Sequence, residues 1–449
     1  MNQNIFREYD IRGIVNQDLT NETVLKIAKA IGTFFQKNSA KYIAVGYDAR
    51  ESSPVFCEIL TRSLNETGCD VVLVGKVPTP VLYHAVYNSG VEGGVMITGS
   101  HNPPNHNGFK ICLGKNTLYG KCIKEIGEMA LSEDFASGKG NITPKEWLSV
   151  YEKDLLKKIE TGKRKLKIVI DAGNGMGGVT AIPVYRKLGF DLIELFTEPD
   201  STFPNHPPDP ALSVNLQDAI KAVQNNKADL AIVFDGDADR ITVVDETGRI
   251  IWGDELTTLF ARDVCSKANV TVLAEVKCSQ VLFDEVERLG GKAIMCKAGH
   301  SIIKSKMQET GALLAGEMSG HIFFADRYYG FDDACYAGAR LLEILSKTDK
   351  PLSELLSTLP KTYSSEEIRV PCPEDLKSYI VDKIVEEYKD SHKVITIDGV
   401  RIQFENGWGL VRPSNTQATL VCRFEADTHD NLLQIQTLIE SKVKTLIPH

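Results

Sequence analysis

The sequence has no apolar run long enough to cross a bilayer, and its start, MNQNIFREYD, lacks the basic-then-apolar pattern of a secretory signal. Nor does it carry an excess of basic charge: 51 Lys and Arg stand against 60 Asp and Glu, a formal net charge of −9. A nucleic-acid partner calls for a basic face that neutralises phosphates, so this balance argues against one. A small anionic ligand stays open, because a few convergent Arg and Lys make a local positive pocket. The 10 cysteines stand singly, without a C-x-x-C pair or zinc-site spacing. Scattered thiols in so long a chain are expected to be reduced and mostly buried, which points to the cytoplasm.

What is present is alternation. The apolar fraction of 43% and the charged fraction of 25% are those of a globular chain, and 449 residues allow three or four domains. Apolar spacing predicts helix over 21–37 with Thr20 or Asn21 as its cap, strand over 42–45, helix over 55–64, strand over 71–74, helix over 81–87 and strand over 94–97. A helix over 147–159 opens a second series with strands over 166–170 and 230–234. A third follows a helix over 253–267, with strands over 270–276, 293–295 and 312–315. The end changes character: a helix over 375–388, a β-meander, then a helix over 431–446. The expected domains are 1–147, 148–252, 253–362 and 363–449. Ligands in such α/β domains gather where strands end.

Chemistry concentrates in four loops. TGSHNPPNHNGFK, residues 98–110, follows a buried strand, reads as loop by composition, and presents Ser100 between Gly99 and His101. DGDADR sets Asp235, Asp237 and Asp239 at alternate positions of an expected extended segment. Three carboxylates so close repel unless a cation holds them, and hard oxygen ligands suit Mg²⁺. A calcium EF-hand fits less well, since its sixth position would be Arg240 and its flanks read as strands, although Glu246 falls at the twelfth. GEMSGH places Glu317, Ser319 and His321 at alternate positions, a donor-and-acceptor comb suited to sugar hydroxyls. RPSNT offers Arg412, Ser414, Asn415 and Thr416 as a phosphate cradle. Tyr9 and Arg12 in FREYDIRG, and Lys277 and His300 at strand ends, are further candidates for ligand contact. Each loop alone also reads as an ordinary polar turn. One more motif competes: Gly173, Gly175 and Gly178 fit G-x-G-x-x-G with Glu194 downstream, a dinucleotide fingerprint, yet such glycines often serve backbone geometry alone.

The four loops in this order resemble those of the α-D-phosphohexomutase superfamily over essentially the whole chain, and YDIRG with GEMSGH is most similar to the bacterial phosphomannomutase/phosphoglucomutase group. The resemblance implies an α/β architecture of three successive mixed-sheet domains and a C-terminal α+β domain around a central cleft. It implies that Ser100 carries a phosphoryl group, and that Ser100, Asp235, Asp237 and Asp239 hold one Mg²⁺. Arg12, Lys110 and His300 would then move protons, while Glu317 and Ser319 grip the sugar. Arg412, Ser414, Asn415 and Thr416 would clamp the distant phosphate with Tyr9, Lys277 and His321, and His101 and Arg240 would support the phosphoserine and metal. The implied reaction interconverts hexose 1- and 6-phosphates of mannose or glucose through a hexose 1,6-bisphosphate, which also serves as activator. A phosphoglucosamine mutase and a serine-dependent phosphohydrolase are the alternatives. Small-molecule hexose phosphates are the implied partners, with no nucleic acid, no membrane, and a monomer or weak dimer. Gln417 departs from the small or polar residue common after the phosphate loop.

Overall fold

The computed structural model describes residues 1–266, 269–414 and 418–447. Four sheets follow one another along the chain. The first runs, in spatial order, Ile11–Ile14, His106–Leu113, Gly93–Ile97, Tyr42–Tyr47, Asp70–Lys76, Ile142–Pro144. Its last four strands are parallel, while His106–Leu113 lies antiparallel to Gly93–Ile97 with Lys110 opposite Met96. The second sheet is parallel across Leu230–Phe234, Lys167–Asp171 and Asp191–Leu195, with Ile241–Asp245 returning antiparallel. The third pairs Thr271–Glu275 in parallel with Lys292–Cys296 and Leu314–Gly316, and Ile322–Phe324 returns antiparallel. The fourth is an antiparallel meander of Lys393–Ile395, Val400–Phe404, Gly407–Pro413 and Thr419–Ala426, backed by helices Lys377–Tyr388 and His429–Leu446. Thr20 caps helix Asn21–Lys37 through the Thr23 N–H, as its hydroxyl and spacing require. All ten thiols are free, and all but Cys122 are buried. Among the described residues no helix is long and apolar enough to cross a membrane.

Three local expectations change. The second half of 98–110 is strand, because Phe109 and Ile111 alternate with Gly108 and Lys110 and can bury one face. The three aspartates occupy a tight turn between Leu230–Phe234 and Ile241–Asp245, with Ala238 at φ 60°, and converge because the chain reverses rather than because strands pleat. GEMSGH is likewise a turn: Gly320 N–H bonds Glu317 O at 3.0 Å and Glu317 N–H bonds His321 O at 2.9 Å.

The first three domains share one continuous apolar core, in which Leu82 and Tyr83, Trp147 and Tyr151, Phe234, Phe260 and Phe331 pack together. The C-terminal domain has its own core and is fastened to the third by buried arginines. Arg401 donates to Val276 O and Cys278 O, both at 2.7 Å, and lies 3.7 Å over the Trp408 ring. Arg423 reaches Lys277 O and, at 3.2 Å, Asp254.

The serine loop hangs on Arg50, which is 1% exposed. Its guanidinium donates to four carbonyls: Pro103 at 2.6 Å, His106 at 3.0 Å, Ser100 at 2.8 Å and Asn102 at 2.6 Å. Asp48 sits beneath, accepting from Gly99 N–H at 3.1 Å and from Ser53 at 2.6 Å. On the far side the glycine loop of 173–178 serves packing. A Cβ on Gly175 would lie 2.7 Å from Gly236, and one on Gly236 would collide with the Ser100 carbonyl, so two backbones stack directly under the serine. Glu194, the supposed ribose ligand, pairs with Arg186 at the surface. His206 closes this stack, with Nε2 3.2 Å from Asp171, whose carboxylate also takes the Gly173 N–H at 2.9 Å.

Arg50→Met removes one partner from a buried ionic network, and thermal unfolding is expected to show a loss of about 3 kcal/mol, with activity falling as the loop loosens. An unchanged melting temperature would contradict the clamp. Burial alone would lower the His206 pKa, but the Asp171 carboxylate outweighs it and the value is raised. The pair therefore contributes fully below about pH 6.5 and fades as pH rises through the folded value. The melting-temperature deficit of His206→Gln should accordingly be larger at low pH than at high pH; a pH-independent deficit would rule out the ion pair.

Candidate active site

Ser100 stands where strand Gly93–Ile97 ends, at φ 48°, a left-handed conformation that costs a non-glycine residue about 1–2 kcal/mol. The Arg50 clamp and the bond from Ser100 N–H to Thr98 Oγ1 at 2.8 Å hold it there. Its hydroxyl, on a residue 1% exposed, donates to Asp235 Oδ2 at 2.9 Å and lies 3.2 Å from His101 Nδ1. Serine loop and aspartate turn thus meet atom to atom across two domains.

Asp235, Asp237 and Asp239 have no exposure. Asp235 Oδ1 takes the N–H groups of Asp239 and Arg240 at 3.1 Å each. Asp237 Oδ2 takes Thr79 Oγ1 at 2.5 Å and Lys110 Nζ at 2.7 Å, and Lys110 also bonds Asp239. Burial and the two neighbouring carboxylates push the Asp235 pKa far up, whereas burial of Asp237 is outweighed by Lys110, which holds it down. Lys110 in turn is raised: burial disfavours its charge, but the aspartates around it win. One ammonium does not balance three carboxylates, and Asp237 Oδ1 and Asp239 Oδ1 are buried without a hydrogen-bond partner among the described residues. One oxygen from each of the three lies within 4.8 Å of the others. This all-oxygen donor set fits a hard divalent cation. Asp239, His321 and Asp332 also approach within 4.8 Å of one another. There, however, Arg240 Nε donates to His321 Nε2 at 2.9 Å, which puts the imidazole proton on Nδ1 and removes that nitrogen as a ligand.

The remaining candidates fall into two groups. Around the serine, Arg12 bonds Gly99 O and Asn102 at 3.2 Å and Asp10 at 2.5 Å. Arg240 lies 4.0 Å from Asp235; burial would lower its pKa, but Asp235 and Asp239 raise it. Burial and then Arg240 hold His101 well below the ordinary histidine value. His300 and His321 stack with ring centroids 5.4 Å apart. The second group joins domains. Tyr9 OH donates to Ala298 O at 2.9 Å, Ala298 N–H to Asp398 at 3.2 Å, and Gly299 N–H to Glu317 at 2.7 Å. Arg412 pairs with Asp398 at 3.0 Å and Lys277 with Glu367 at 3.2 Å. Residues 298–300 therefore connect the first, third and fourth domains at the site. Ser319 is half-buried in its turn, and Ser414 O takes the Lys377 ammonium at 2.6 Å. Asn415, Thr416 and Gln417 lie outside the described residues.

Sequence reasoning did not single out Arg50, Asp48, Thr79, Lys304, Asp332, Glu367 or Asp398. A signal existed for the first two, since YDAR follows a strand whose end faces the site; Thr79 sits in an unremarkable VPTP.

Family models for phosphoglucomutase/phosphomannomutase match four stretches: α/β/α domain I over 3–137, domain II over 149–248, domain III over 252–363 and the C-terminal domain over 367–441. A phosphoglucomutase of Neisseria meningitidis serogroup A is 45% identical over 449 residues, covering 99% of this chain and 97% of that protein. A phosphomannomutase/phosphoglucomutase of Pseudomonas aeruginosa is 44% identical over 444 residues, covering 98% and 96%. The crystal structure of a phosphoglucomutase/phosphomannomutase family protein from Burkholderia thailandensis superposes with a TM-score of 0.94 at 40% identity, over 99% of this chain and 98% of that one. With all four domain models matched in order and relatives this similar along the full length, the chain belongs to the phosphoglucomutase/phosphomannomutase family.

Proposed function

We propose that this enzyme reversibly interconverts the 1- and 6-phosphates of mannose, glucose or both, through a phosphoserine at Ser100 and a bound hexose 1,6-bisphosphate that also acts as activator. What supports the reading most is the Ser100 hydroxyl, buried and strained, 2.9 Å from a carboxylate of a buried aspartate triad. Phosphoryl transfer asks for positioning and charge neutralisation more than covalent help. Mg²⁺ suits the oxygen donors of Ser100, Asp235, Asp237 and Asp239, one ion per chain, and when bound would draw charge from the transferring group.

In the forward half, a hexose hydroxyl oxygen bonds to phosphorus as the bond from phosphorus to Ser100 Oγ breaks, and the hydroxyl proton ends on Oγ. Arg12, Lys110 and His300 are the candidates for carrying it. The bisphosphate turns over in the cleft, and the other phosphate returns to Ser100 by the reverse step. Glu317 and Ser319 would grip sugar hydroxyls in both orientations. Arg412 and Ser414, with Asn415 and Thr416, would clamp the phosphate that is not reacting, assisted by Tyr9, Lys277 and His321. In the present geometry Asp398 and Glu367 neutralise Arg412 and Lys277, places a substrate phosphate would share. His101 and Arg240 would flank the phosphoserine. We place the domain divisions at 147/148, 252/253 and 362/363, and the protein in the cytoplasm as a monomer or weak dimer.

Ser100→Ala is expected to abolish phosphate incorporation, read by intact mass, and to lower kcat by about 10⁴-fold or more. A coupled assay should show mannose or glucose 1-phosphate converted in preference to glucosamine 1-phosphate. Release of inorganic phosphate instead of hexose 6-phosphate would favour a phosphohydrolase, and a preference for the amino sugar would favour a phosphoglucosamine mutase.

A further inference from the structure

Behind His300 lies a buried ionic pair that the reaction described above does not use. Lys304, one helical turn further along His300–Thr310, is 2% exposed, and Asp332 has no exposure. Lys304 Nζ donates to Asp332 Oδ1 at 2.8 Å, lies 3.2 Å from His300 Nδ1, and sits 4.1 Å over the Tyr83 ring. An ammonium donates and never accepts, so His300 Nδ1 is the acceptor in this contact and its lone pair is occupied. The competing arrangement, a proton on Nδ1 directed at Asp332, is not built. Asp332 Oδ2 is 3.6 Å from His300 Nδ1 and only 3.0 Å from His321 Nδ1, whose proton it faces instead. A neutral imidazole whose Nδ1 accepts carries its proton on Nε2. That nitrogen has no partner among the described residues and, unlike His321 Nδ1, is not sealed from solvent.

We propose that Lys304, held by Asp332, is a positioning residue that keeps His300 neutral with its proton on Nε2, so that His300 donates a hydrogen bond to an oxygen of the bound sugar phosphate and does not accept the hydroxyl proton. The inference rests on the mutase reading for its substrate and on geometry for its tautomer. His300 is flanked by the stacked ring of His321, the edge of Tyr9, and the charges of Lys304, Asp332 and Lys110. Burial first, and Lys304 second, hold its pKa well below the ordinary value, consistent with a ring that is uncharged when substrate arrives. With Nδ1 engaged and Nε2 protonated, a neutral ring offers no lone pair to a hydroxyl proton. Of the three candidate proton carriers this leaves Arg12 and Lys110.

The test uses the full-length, phosphorylated enzyme loaded with Mg²⁺ and labelled with nitrogen-15 in its histidine rings. Long-range proton–nitrogen correlation spectra, with His300 assigned by His300→Gln, read the tautomer without turnover. The Nε2–H form is expected throughout the range at and above the ordinary histidine value of about 6.5. A proton on Nδ1, or an imidazolium within that range, would overturn the proposal while leaving the mutase reading intact. In Lys304→Met, His300 is expected to titrate nearer its ordinary value, and kcat to fall about 10²-fold, the scale of one lost preorganised donor. KM should change by less than about threefold, since binding through other groups is kept. Lys304→Arg, which retains a donor, should recover part of kcat; wild-type kcat in Lys304→Met would also overturn the proposal. Should Lys304→Met not fold, the wild-type spectrum still decides.

Discussion

Three carboxylates sealed at the end of strand Leu230–Phe234 set the terms for everything around them. With oxygens within 4.8 Å of one another, each ionised pair repels by at least about 3 kcal/mol even at an effective dielectric of 20. The fold answers with cations and a hydroxyl donor gathered around them. Lys110 arrives on an antiparallel strand of another domain, Thr79 from the helix beside it, and Arg240 from the turn itself. The serine hydroxyl completes the ring. That two acid oxygens remain without a partner among the described residues is what makes this a place for a bound cation rather than a finished structural knot.

Such a cluster is useful only if its parts cannot drift, and rigidity here comes from backbone contacts rather than side-chain bulk. Arg50 gathers four carbonyls of the serine loop into one guanidinium, and Gly175 and Gly236 stack beneath it with no room for a methyl group. The continuous core shared by the first three domains keeps serine and aspartates in one frame. The fourth domain is attached differently, through arginines on carbonyls and a small Val276, Trp408 and Leu410 contact, so the phosphate-clamping candidates are carried on a separately packed unit.

Much of this was legible in the residues. Alternating strands and helices gave the domain series, because buried parallel strands write continuous apolar runs such as LAIVF. Ser100, the aspartates, Glu317 and Arg412 stood out because four such loops occur together in this order, although each alone also reads as a polar turn. What pattern could not show was how they converge. Asp235, Asp237 and Asp239 meet through a turn with Ala238 at positive φ, a feature set by the returning strand and not by spacing. The strand that carries Lys110 was hidden by the asparagines and prolines before it. Arg50 and Asp332 bond partners 50 and 28 residues away in sequence, and nothing local distinguishes a buried arginine from a surface one. The glycine loop misled for a related reason: a close approach to a dinucleotide and a close approach to another backbone demand the same residue.

Phosphate that leaves a serine oxygen and reaches sugar without passing through water is the claim on which the rest depends. Rapid-quench mixing of enzyme carrying phosphorus-32 on Ser100 with unlabelled glucose 1-phosphate tests it most directly. The label should appear first in the 1,6-bisphosphate and then in glucose 6-phosphate, as the serine becomes rephosphorylated from the unlabelled 1-position. Label that goes to inorganic phosphate at the rate of turnover, or that stays on the protein while product forms, would contradict it.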